Sequence, residues 1–151
     1  MLREELAAGL ASTMQAKDAR AVSTIRLILA ALKDRDIAAR GKGNGQGIDE
    51  AEILRMLRTM VAQRRESIET YEKGCRMELA QQEREEIDII QRFLPEEMSD
   101  GDADAAIEGL IEELGASSLK DMGRTMAALR ERYPGRMNFT KANSLVKARL
   151  G

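Results

Sequence analysis

The chain has 151 residues, with 24 Lys and Arg against 26 Asp and Glu, 43% hydrophobic residues and no histidine. That length accommodates one domain or two small ones, and a net charge of −2 argues against a polyanion gripped by the chain as a whole. Without histidine, the commonest general base, the commonest metal ligand and every Ser-His or Cys-His nucleophile are excluded, so no catalytic residue, metal or cofactor is expected. No apolar run reaches the roughly 18 residues that span a bilayer. Arg3, Glu4 and Glu5 stand where a signal peptide would need an apolar core, so the expectation is a cytoplasmic protein without membrane contact. Cys75 is the only cysteine, which excludes an intrachain disulfide and agrees with a reducing compartment.

Leu2, Leu6, Leu10 and Met14 recur at four-residue intervals, one face of an amphipathic helix ending near Lys17-Asp18. A second helix places Val22, Ile25, Ile28, Leu29 and Leu32 inward, with Arg26, Lys33 and Arg35 outward. It stops where Gly41, Gly43, Gly45 and Gly47 crowd seven residues. No Gly-Lys-Ser/Thr ending follows, so the glycines read as a flexible connector and not as a phosphate loop. Asp49 and Glu52 predict a capped start for a long third helix with Ile53, Leu57, Met60, Val61, Ile68 and Tyr71 inward and Gly74 as its left-handed C′ residue. Arg64 and Arg65 interrupt that face, with stems on the core edge and heads reaching water.

A fourth helix carries Leu79, Ile87, Ile90 and Leu94 inward until Pro95, which lacks an amide hydrogen. Its Glu83, Glu85, Glu86 and Asp88 read as a solvated acidic face in preference to a metal cluster, because no histidine completes a carboxylate site. Ser99 and Asp102 begin a fifth helix with a stripe of Ala103, Ala106, Ile107, Leu110, Ile111 and Leu114, closed by Gly115. Ser118 and Asp121 cap a sixth, with Leu119, Met122, Met126, Leu129 and Tyr133 in a row; here Ser117-Ser118 beside Lys120 reads as a cap and not a nucleophile. The last helix begins between Asn138 and Thr140 and buries Ala142, Leu145, Val146 and Leu150. No segment alternates with a two-residue period, so the fold class is all-α: an N-terminal helical domain of about four helices, residues 1–94, then a three-helix domain, residues 95–151.

Charge is polarised along the chain. From Glu83 to Leu114 twelve carboxylates face Arg84 and Arg92. From Gly115 to Leu150, Lys120, Arg124, Arg130, Arg132, Arg136, Lys141, Lys147 and Arg149 face only Asp121 and Glu131. Those eight cations are the candidate nucleic-acid-binding residues, since Lys and Arg neutralise phosphates and Arg also binds them bidentately. Two other readings compete: cations late in a helix complement its dipole, and the basic stretch could dock on the acidic one before it.

Ile25-Arg26-Leu27, Phe93-Leu94-Pro95 before an acidic helix start, Gly115-Ala116-Ser117-Ser118 with Asp121-Met122-Gly123, and Val146-Lys147 with Leu150 together resemble the GatB/YqeY family over essentially the whole chain. These are YqeY-like bacterial proteins related to the tail domain of the GatB component of aspartyl/glutamyl-tRNA amidotransferase. The resemblance implies a C-terminal domain like that tail, which contacts tRNA. It also implies a family association with carbon-nitrogen ligase activity using glutamine as amido-N-donor, though neither catalytic part of the amidotransferase is present. The partners it implies are tRNA and the components of the amidotransferase. The rival expectation is a helical protein-protein interaction module that binds no nucleic acid, suggested by nine methionines and many leucines on short amphipathic helices.

Overall fold

The computed structural model describes residues 1–151 and contains seven α-helices and no strand. It divides into two compact units, Met1–Leu94 and Pro95–Gly151.

The first unit holds α1 (Leu2–Gln15), α2 (Ala19–Gly41), α3 (Glu50–Lys73) and α4 (Met77–Gln91). α3 packs along α4, and α2 packs on both α1 and α4. Leu2 and Leu6, Ile28 and Leu32, Ile53, Met56, Leu57 and Val61, and Ile87 and Ile90 form its main core. A smaller cluster of Ala21, Ile25 and Ile89 lies between α2 and α4, with Phe93 against it. Because α4 covers two helices, its apolar face is wider than a single stripe, and Ile89 and Ala80 are buried beside the expected Ile87 and Ile90. Phe93 reaches α1 at Gly9, where an added Cβ would lie 2.8 Å from the ring.

Polar contacts fix the ends of these helices. Asp18 and Asp49 cap α2 and α3 by accepting from the amides of Ala21 and Glu52 at 3.2 and 2.8 Å. Asp36 is buried on α2 and accepts Arg3 Nη1 and Nη2 at 2.6 and 2.9 Å and the Ile48 amide at 2.9 Å. Arg3 Nη2 also donates to the Ile48 carbonyl at 2.8 Å. The far end of the glycine loop is therefore fastened to both α1 and α2. Gly47 has φ +83°, and a Cβ there would stand 2.3 Å from Asp36 Oδ1, so this position requires glycine.

Three sequence expectations change here. Gly74 is not the left-handed residue closing α3: its φ is −88°, and Cys75 takes φ +57° instead. The amides of Cys75 and Arg76 bond the carbonyls of Glu72 and Tyr71 at 3.1 and 2.8 Å, a Schellman closure whose left-handed position falls one residue beyond the glycine. The Arg64 guanidinium does not simply reach water: it bonds Glu86 at 3.1 Å and lies 3.9 Å from Glu83. Glu86 is thereby buried, and Arg20 from α2 adds contacts to Glu85 and Glu86 at 3.4 and 3.9 Å. The acidic face of α4 is thus partly an ion-paired seam between helices, because unpaired burial of Glu86 would cost several kcal/mol.

The second unit contains α5 (Asp100–Leu114), a 3-10 turn (Leu119–Asp121), α6 (Met122–Arg132) and α7 (Phe139–Leu150). Ile107, Leu110, Met126, Leu129, Met137, Ala142, Val146 and Leu150 form its core. Ser99 caps α5 by accepting from the Asp102 amide at 3.1 Å, Gly115 ends it at φ +63°, and Asn138 caps α7. Leu119 and Leu145 belong to the expected apolar rows but are 51% and 38% exposed. Leu119 stands in the 3-10 turn ahead of α6 and not on the helix itself, and Leu145 opens onto a groove beside α5.

Candidate nucleic-acid interface

All eight candidate cations lie on the surface of the C-terminal unit. They do not share one electrostatic state, and the neighbours of each decide what it has to offer a phosphate.

Arg132, at the end of α6, makes a fork-to-fork pair with Glu113 at the end of α5, at 2.7 and 2.6 Å. The Arg132 hydrogen bonds hold the Glu113 carboxyl below its ordinary range. Arg149, near the end of α7, bonds Asp104 at 2.8 Å and lies 4.0 Å from Glu108; those two acids are four residues apart, on one face of α5. Arg124 bonds Asp121 at 3.1 Å through Nε. The Asp121 carboxyl also accepts the amides of Ser117 and Ser118 at 2.9 and 3.3 Å, and these amides are the main cause of its lowered pKa. The serines therefore belong to the start of the turn.

Arg130 lies over the Phe139 ring, 5.8 Å from its centroid, and Arg136 Nε donates to the Glu96 carbonyl at 3.4 Å. Neither contact neutralises charge. Lys120, Lys141 and Lys147 have no carboxylate partner. The turn carrying Lys120 packs against α7, which carries the other two. On α7, a separation of six residues rotates Lys141 and Lys147 by roughly 120° from each other, so they occupy different faces. Lys141 borders a groove between the starts of α5 and α7 whose lining includes Met98, Ile107, Met137 and Leu145, with Asp100 and Asp104 on the other wall.

The whole unit carries eight cations and ten carboxylates. The basic stretch is compensated by α5 within the same unit, partly through direct ion pairs. Asp104, Glu108 and Glu113 are the partners that charge counting left unassigned; their only signal in the sequence was the density of acid on α5.

A sequence model of the family described as "Yqey-like protein" matches residues 3–150. Curated relatives include the protein called "Altered inheritance of mitochondria protein 41, mitochondrial" from Lachancea thermotolerans, 33% identical over 111 residues, which are 72% of this chain and 57% of that protein. The protein of that name from Saccharomyces cerevisiae is 31% identical over 107 residues, 70% of this chain and 56% of its own. Its Eremothecium gossypii counterpart is 36% identical over 85 residues, 56% of this chain and 44% of its own. The chain spans about half the length of these relatives. No helix is long and apolar enough to cross a membrane.

Proposed function

The chain belongs to the Yqey-like protein family, and from that premise we propose that it is an accessory protein without catalysis of its own, binding tRNA or working beside a glutamine-dependent tRNA amidotransferase. The observation that supports this reading is the set of exposed, uncompensated cations on the C-terminal unit: Lys120, Lys141 and Lys147, joined by Arg130 and Arg136. They would grip the sugar-phosphate backbone by charge and shape, with little reading of bases, because Tyr133 and Phe139 are the only aromatics nearby and both are partly buried. A cytoplasmic site of action is part of the proposal, and fractionation of cells tests it.

The binding test is tRNA affinity of the purified chain across a salt series. Binding at low salt with a log-log slope of about −0.9 per phosphate neutralised is expected, and each of Lys120→Glu and Lys147→Glu should flatten that slope by about 1. No binding at low salt, or binding indifferent to both substitutions, overturns the reading. The exposed Leu119 and Leu145 support the alternative, a protein-interaction module. Co-purification of one stoichiometric protein and no RNA would select it.

A further inference from the structure

The apolar row of α1 outruns the core that it covers. Leu2 and Leu6 are 4% and 0% exposed, partly buried Leu10 packs against the small cluster between α2 and α4, and Met14 is 50% exposed. Beyond the turn, α2 brings Leu27, 52% exposed, and half-buried Val22 to the same shallow concavity, with the small residues Ala19 and Ser23 completing it. Two large apolar side chains therefore share one surface site without a covering element from their own unit.

The charged side chains that line this site have one sign. Lys17 and Arg26 line it, neither is paired with a carboxylate, and no carboxylate is among the lining residues. Asp18, between Lys17 and Ala19, keeps its charge while accepting the Ala21 amide at 3.2 Å as the cap of α2, and is not among the lining residues. Arg20, on the same helix, is held by Glu85 and Glu86. Lys17 and Arg26 are thus cations of this unit held in no ion pair, and they flank its exposed apolar surface.

We propose that this surface, Met14, Val22 and Leu27 between Lys17 and Arg26, docks an acidic amphipathic helix of a protein partner. Ala19 and Ser23 let a helix backbone approach closely. Met14 and Leu27 meet its apolar face, and Lys17 and Arg26 meet carboxylates on its flanks, the arrangement by which amphipathic helices are bound in grooves. The flexible thioether of Met14 suits such a contact. The site lies on the N-terminal unit, and the proposal does not depend on RNA binding by the C-terminal one.

The test uses the full chain and two synthetic helix-forming peptides of equal length, each with leucines at i, i+3 and i+7, one carrying Glu and the other Lys on the flanks. Fluorescence anisotropy should show saturable binding of the Glu peptide. Leu27→Asp and Met14→Ser should each weaken it about tenfold or more, and Lys17→Glu with Arg26→Glu should reverse the preference toward the Lys peptide. All four residues being at the surface, far-UV circular dichroism should confirm that each variant keeps its helix content. Absence of saturable binding, equal binding of both peptides, or binding unchanged in these variants overturns the proposal. So does a loss, on Leu27→Asp, of either self-association in sedimentation or binding to anionic vesicles in place of peptide binding, since the occupant would then be a second copy or a lipid surface.

Discussion

Replacing Asp36 with Asn tests whether a buried carboxylate, and not helix propensity, ties α1 to the start of α3. Asp36 is 6% exposed and accepts three hydrogen bonds, two from Arg3 and one from the Ile48 amide. The Arg3 guanidinium, ahead of the Ile48 amide, holds its carboxyl at about 2 against an ordinary 3.8. A difference a little under two units corresponds to roughly 2.5 kcal/mol of preference for the charged form in the folded state. Arg3 is 37% exposed, so water competes for its guanidinium, and about 2 kcal/mol is the expected cost of Asp36→Asn at neutral pH. Because the folded value is depressed, this stability is fully present above about pH 4 and disappears as pH falls toward about 2, where the native aspartate is itself protonated. Urea denaturation followed by circular dichroism, on wild type and variant at pH 7 and again near pH 2.5, should show a gap that narrows with acid. A neutral-pH cost below about 0.5 kcal/mol, or a gap that does not change with pH, would refute the reasoning.

Gly47→Ala should destabilise by about 2 kcal/mol or more, since the new Cβ meets Asp36 in a left-handed backbone, whereas Gly41→Ala, with open space around it, should be neutral or mildly stabilising in thermal melts. Moving the glycine of the α3–α4 turn one residue along, by Gly74→Ala with Cys75→Gly, should raise stability by about 1–2 kcal/mol, because the left-handed conformation lies at residue 75. A lower melting temperature for the pair would contradict that closure. In tRNA titrations, Lys120→Glu and Lys147→Glu should weaken binding more than Arg132→Gln, whose charge is already matched by Glu113; equal losses would mean that the ion pair opens on binding.

The helices and their stops follow from interactions within a few residues. Three-four spacing places Leu2 above Leu6 and Leu129 above Met126 wherever the chain is helical, while Asp49, Ser99 and Asn138 satisfy amides two or three positions ahead. The all-α class was legible for that reason. Local spacing is silent about width. Whether Met14, Leu119 or Leu145 is covered depends on where sequence-distant elements lie, and all three are exposed.

What the sequence determined by itself is the helical alphabet and its punctuation, because capping, glycine strain and amphipathic spacing are short-range. Tertiary structure alone decided which charges are spent: Arg3 on Asp36, Arg132 on Glu113 and Arg149 on Asp104 meet across 33, 19 and 45 residues. A pairing at such separation leaves no periodic trace, and it is what divides a chain-wide count of cations into those held by the protein and those left for a ligand.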